Sequence, residues 1–140
     1  MRVVLDTNVL VSGLLFPGGP PSRLVAAWRG GAFDLVISDF LVDELVRTWR
    51  HLAPRLKHTP AEQDDFLDTL RLRSEMVQLD ADSLSQASAA GLRDPNDVPI
   101  LAMLIGAAAN FIVTGDKDLL AVSGTYPILT PAEFEGRFLP

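Results

Sequence analysis

The sequence predicts an α/β fold, with a parallel sheet of short strands covered by helices on both faces. Three observations carry this expectation. Short uninterrupted runs of Val, Ile and Leu recur along the chain, as a twice-buried sheet requires. Longer segments of helical period alternate with them, and the connections are short. The chain has 140 residues, the length of one domain and too short for two that each keep a core. Residues 1–140 are therefore expected to form a single domain.

The first strand is expected at Arg2–Leu5, followed by a helix over Thr7–Phe16 that stops at the turn-rich Pro17-Gly18-Gly19-Pro20-Pro21. Ser22–Trp28 has a helical pattern with Gly30-Gly31 as its stop. Leu35–Ile37 is the second strand, and Ser38 can cap a helix over Asp39–Leu52. Thr59-Pro60-Ala61-Glu62 has the form of a capping box with proline at the first helical position, which opens a helix to Arg73. A third strand is expected at Met76–Leu79, a short helix at Ser83–Ala90 and a longer one from Asp94 to Ala109. Phe111–Thr114 is the fourth strand and Asp116–Val122 a short helix. Tyr126–Leu129 is the fifth strand, and Thr130-Pro131-Ala132-Glu133 starts the last helix. The sheet thus has four to five strands.

Composition narrows the function. The net charge is −6, which argues against a protein that coats polyanions through a basic surface. It leaves room for an enzyme that cuts nucleic acid with a metal held by acids. The absence of cysteine excludes disulfides, thiolate zinc sites, iron–sulfur clusters and a cysteine nucleophile, and is compatible with a cytoplasmic setting. The one membrane candidate, the uncharged stretch Val98–Gly115, contains Pro99, Gly106 and Asn110 and then turns strand-like. A buried helix and strand explain it better, so no membrane association is expected.

In open parallel sheets, ligands bind beyond the carboxyl ends of the strands. Two strands run directly into acids there, Asp6 and Asp116. The plain alternative for each is a helix N-cap. Glu44 falls within the Leu41–Leu45–Thr48 stripe, and Asp97 lies on the stripe of Ile100, Leu101 and Leu104, because residues three or four apart share a helix face. An unpaired buried carboxylate is costly. An ion pair with Arg47 would satisfy Glu44, and capping within Asp94-Pro95-Asn96-Asp97 would satisfy Asp97. Together the four acids make a different case. Like charges in one crevice raise each other's pKa unless a cation is present. Mg²⁺ and Mn²⁺ prefer such oxygen-only sites. A metal so held can activate water and clamp a phosphodiester.

Other chemistries fit poorly. There is no GxxxxGK[ST] and no GxGxxG. His51 and His58 stand in a polar, basic stretch and are expected to face solvent. Ser12 and Ser38 lack a nucleophile-elbow context. Trp28 and Trp49, on amphipathic helices, are expected in the core or at a subunit interface. An aspartyl-phosphate hydrolase has a second aspartate two residues after its nucleophile, where this chain has Asn8.

Five segments, in this order, resemble the PIN-domain ribonucleases, especially the VapC-like toxins of prokaryotic toxin–antitoxin pairs. They are Val3-Val4-Leu5-Asp6-Thr7-Asn8-Val9-Leu10, Ser38-Asp39-Phe40-Leu41-Val42-Asp43-Glu44-Leu45, Asp94-Pro95-Asn96-Asp97, Ile112-Val113-Thr114-Gly115-Asp116-Lys117-Asp118-Leu119-Leu120 and Ile128-Leu129-Thr130-Pro131-Ala132-Glu133-Phe134. The resemblance spans the whole chain. It implies a compact α/β/α sandwich whose acidic site holds Mg²⁺ or Mn²⁺ and cleaves RNA. Asp6, Glu44, Asp97 and Asp116 match the family's four acids, as catalytic residues and metal ligands. Asn8 and Thr114 match positions that orient the acids or touch the metal's water shell. Asp118 matches a residue that ligates or supports, and Asp94 a supporting acid. A small antitoxin protein and a homodimer are the partners it implies. The match departs at Pro99, which could shift the aim of Asp97.

Residues 47–73 carry a net charge of +2 and the rest of the chain −8. Arg47 and Arg50 either decorate a solvated helix end or, in the light of the family, contact RNA phosphates beside the acids.

Overall fold

The computed structural model describes residues 1–56 and 58–140. Five parallel strands form one sheet: β1 (Arg2–Leu5), β2 (Asp34–Ile37), β3 (Glu75–Met76), β4 (Phe111–Val113) and β5 (Ile128–Leu129). Their spatial order is β3-β2-β1-β4-β5. Leu5 pairs with Val113, Val113 with Leu129, and Ile37 with Met76. From β1 the chain moves outward to β2 and β3, then crosses back to β4 and β5. Right-handed crossovers therefore put the helices of the two halves on opposite faces. These are α1 (Thr7–Leu15), α2 (Pro20–Arg29), α3 (Asp39–Leu56) and α4 (Pro60–Arg73) in the first half. The second half supplies α5 (Ala81–Ser88), α6 (Val98–Gly106) and α7 (Lys117–Leu120), and α8 (Pro131–Phe138) follows β5.

The apolar runs explain the core. Val3, Val4, Leu5, Leu35, Val36, Ile37, Ile112 and Val113 are all fully buried, so the three central strands are covered on both faces. Helix α1 packs on α2 and α3, while α6 lies on α5, β1 and β4. Gly13 lets α1 and α2 meet, because a Cβ there would lie 2.5 Å from both the Pro21 carbonyl oxygen and Val25 Cγ2. Trp28 and Trp49 are buried in this core. The core half of their expectation is met.

Several elements differ in extent from the sequence reading, among them the fifth strand, which pairs only at Ile128–Leu129 rather than over Tyr126–Leu129, and α2, which starts at Pro20 rather than Ser22. The third strand pairs only at Glu75–Met76, both exposed, rather than over Met76–Leu79. Val77 still donates its N–H to the Ile37 carbonyl at 2.8 Å, after which the chain leaves the edge. An apolar run reports that a segment packs, not how many of its residues pair. Helix α3 continues past Leu52 through Pro54. Its buried stripe of Leu41, Leu45 and Trp49 anchors the helix, so one missing hydrogen bond does not end it.

The helix expected from Asp94 begins instead with a 3₁₀ turn at Pro95–Asp97, and α6 starts at Val98. Pro99 has no N–H to give the Pro95 carbonyl. Val98 bonds that carbonyl instead, which tightens the turn. His58 also departs from the expectation, being half-buried, paired with Glu62 at 2.8 Å and edge-on to Trp49. Among the described residues, no helix is long and apolar enough to cross a membrane. Lys57, the last cation of the basic stretch, lies outside the described residues.

Candidate active site

The order β3-β2-β1-β4-β5 reverses direction between β1 and β4, and the crevice beyond their carboxyl ends is where such sheets bind ligands. The residues one step past these strands are Asp6 and Thr114, with Asp116 two further on. Asp6 is 5% exposed. Its Oδ1 accepts the Thr7 N–H at 2.8 Å, so it caps α1, while Oδ2 accepts the Thr114 hydroxyl at 2.8 Å. The same Thr114 oxygen accepts the Asp116 N–H at 2.9 Å, and Asp116 Oδ1 accepts the Asp118 N–H at 3.1 Å. One buried hydroxyl thus fixes two acids. The cap and the site are the same residues, because a strand that ends in a capping acid aims that acid into the crevice.

Burial pushes the Asp6 carboxyl above its usual range. The hydrogen bonds from Thr114 and Thr7 oppose this, and the charges of Glu44 and Asp116 add to it. Glu44 projects from α3 half-buried and makes no ion pair with Arg47 among the described residues. Asp97 is the most perturbed acid, pushed up to about 8. Burial is the main cause, followed by a side-chain hydrogen bond with Asp116 and by the charges of Asp116, Asp94 and Asp6. When both carboxyls are ionised neither has a proton to donate, and Asp97 Oδ2 has no hydrogen-bond partner although the residue is only 8% exposed. Asp97 does not cap α6 either. The capping role falls to Asp94, which accepts the Asn96 N–H at 2.9 Å.

One oxygen each of Asp94, Asp97 and Asp118 lies within 4.8 Å of the others. Asp97 therefore stands between this group and the Asp6–Glu44–Asp116 group. A buried carboxyl whose ionised form leaves an oxygen bare, among acids that raise its pKa, offers the oxygen ligands that a hard divalent cation prefers. The tight turn before α6 keeps Asp97 in the cluster, so Pro99 does not aim it away. Asn8 is exposed and makes no hydrogen bond to the acids among the described residues. Arg47 and Arg50 are exposed on α3. Asp94, expected only in support, is one of the three acids whose oxygens lie within 4.8 Å of one another. The sign of its closer part is the Asp94-x-x-Asp97 spacing, which the 3₁₀ turn at Pro95–Asp97 closes up.

Residues 2–118 match the PIN domain family. No curated protein matches the chain. Among solved structures, a chain of VapBC2 from Rickettsia felis, bound to a DNA fragment from their promoter, is similar at 19% identity and a TM-score of 0.60. The match covers 92% of this chain and 97% of that one. A chain of FitAcB from Neisseria gonorrhoeae is similar at 20% identity and a TM-score of 0.57, covering 93% and 98%. At these identities the likeness is one of fold.

Proposed function

The chain belongs to the PIN domain family, whose members are generally nucleases, and from that premise we propose that it is a divalent-metal-dependent endoribonuclease, the toxin of a toxin–antitoxin pair. One observation carries the catalytic part: the buried Asp97 oxygen without a partner, amid acids at the switch point of the sheet. A protein whose acids were only caps would leave none of them bare. Asp6, Asp94 and Asp116 do cap, whereas Asp97 and Glu44 do not.

In this reading Asp6, Glu44, Asp97 and Asp116 are the catalytic acids and hold Mg²⁺ or Mn²⁺, and Asp94 and Asp118 support them. A bound ion would supply a water of lowered pKa and charge neutralisation at the phosphodiester. Thr114 keeps Asp6 and Asp116 in place through its two hydrogen bonds, which lowers the reorganisation needed as charge develops. To hold such an ion Asp97 would have to be ionised, and burial and its acidic neighbours oppose that in the chain alone. Arg47 and Arg50 hold RNA phosphates without reading sequence, and Asn8, which does not bond the acids among the described residues, would touch the water shell of a bound ion. The fold shared with chains of VapBC2 and FitAcB supports the toxin reading, with a small antitoxin as partner, and a cytoplasmic setting belongs to the same proposal. A homodimer belongs to the same proposal, but both tryptophans lie in the chain's own core and take no part in it.

The test is cleavage of single-stranded RNA by the purified chain in Mn²⁺, in EDTA, and by Asp97→Asn. Cleavage confined to the parent with metal is expected. Equal cleavage by Asp97→Asn would overturn the assignment. Co-purification with the product of a small adjacent reading frame tests the antitoxin.

A further inference from the structure

A groove of about 350 Å³ opens on the same edge of the sheet as the acids. One wall is Ser38, Asp39 and Phe40, where β2 turns into α3, and the other is Val77, Gln78 and Leu79, just past β3. The pairing of Ile37 with Met76, and the Val77 N–H on the Ile37 carbonyl, keep the two walls side by side. Strand β2 is the neighbour of β1, so the groove begins about 5 Å, one strand spacing, from the strand that ends at Asp6. Phe40, Val77 and Leu79 are half-buried, and Asp39 and Gln78 are exposed. The lining is thus an apolar floor with a polar rim. Its volume is at the small end of ligand sites, enough for one planar ring system and too little for a folded element of a partner.

Single-stranded RNA is read by stacking its splayed bases on aromatic side chains and by hydrogen bonds to their edges. The groove has an aromatic ring, an acceptor-only carboxylate at Asp39 and an amide at Gln78 that both donates and accepts. Asp39 repels a phosphate, so a neutral base fits better than the RNA backbone. Guanine is the base whose Watson–Crick edge sets two donors side by side next to an acceptor. Those donors suit Asp39, and the acceptor suits the Gln78 amide.

We propose that this groove holds the base of a nucleotide flanking the scissile phosphate and prefers guanine there. The proposal rests on the ribonuclease reading above. Asp39 and Gln78 are then specificity residues that touch substrate, with no part in the chemistry at the acids.

The experiment profiles cleavage of a randomised single-stranded RNA by the parent, Asp39→Asn and Gln78→Ala, with thermal melting to confirm that each variant folds. The parent should cut with guanine favoured about tenfold at one position beside the cut, the size of one good base contact. Both variants should lose most of that preference, read as the ratio of guanine to non-guanine cuts within each profile. Replacing that guanine by inosine, which lacks the 2-amino donor, should weaken metal-free binding to the parent in fluorescence anisotropy and leave Asp39→Asn indifferent. Cleavage without base preference, or preference intact in both variants, overturns the groove assignment alone. A parent that neither cuts nor binds RNA overturns the ribonuclease reading and this assignment with it.

Discussion

At the amino edge of the sheet, Arg2 donates to both carboxylate oxygens of Glu75 and to the Ala107 carbonyl, and its backbone exchanges hydrogen bonds of 2.7 and 2.8 Å with Asn110. At the carboxyl edge, acids crowd together and Asp97 keeps a buried oxygen bare. The topology is one cause of the contrast. Helices α1, α3 and α7 follow strands directly and α6 follows Asp97, so all four start at the carboxyl edge, where free N–H groups favour capping acids, while α6 ends at the amino edge, where free carbonyls favour a cation such as Arg2. The amino edge is closed by its own pairs. The carboxyl edge keeps its acids crowded together by the same core, with no cation of the chain among them in the described residues.

The sharpest way to break this comparison is to remove one acid. Asp97→Asn should lower metal-dependent cleavage at least about 100-fold, more than the loss of a supporting partner costs at a metal site. It should also leave the metal-free melting temperature level or raised. A drop in metal-free stability would show that Asp97 is structural. The second effect is the response to metal. Mn²⁺ at about 100 times its dissociation constant should stabilise the parent by roughly 2.7 kcal/mol, or roughly 5–10 °C for a domain of this size. Asp6→Asn should lose most of that shift in calorimetry. A parent without any response at millimolar Mn²⁺ would remove the distinction between the edges.

The third effect is on pH dependence. The Asp97 carboxyl sits at about 8 in the folded chain against 3.8 ordinarily. Between these values the folded chain holds a proton that the unfolded chain has lost, so metal-free stability should fall as pH rises from about 4 to about 8. Asp97→Asn should flatten that slope in melting curves recorded across the range, and a parent slope unchanged by the substitution would contradict it. A smaller effect is expected on α3, where Arg47→Ala with Arg50→Ala should weaken binding of unrelated RNAs about equally and reduce its salt dependence. Unchanged salt slopes would leave the two as solvated cations. Smallest of all is Glu75→Gln at the amino edge. This pair is partly exposed, so the substitution should cost less than about 1 kcal/mol in denaturant titration and leave the metal response untouched. A changed metal response would mean that the two edges are coupled.

Much of both edges was legible in the chain itself. Alternating apolar runs and helical periods fixed the order of elements, and Thr59, Thr130 and Asp6 cap the helices they were expected to cap. Asp6 and Asp116 could be picked out because a strand end and an N-cap are set by neighbours within four residues. The rest depends on residues far apart in the chain. The short β3 is decided by what lies beyond the sheet's edge. Sequence reading left open whether Glu44 pairs with Arg47 and whether Asp97 caps its helix. The fold decides both by bringing Glu44 near Asp6 and Asp97 near Asp116, and by burying Asp97 before it can reach a donor. The groove between Ser38–Phe40 and Val77–Leu79 left no mark in the sequence, since neither segment is unusual until strand pairing sets them side by side. Local interactions chose the caps and strands, while burial and the proximity of like charges exist only once the sheet has closed over its core.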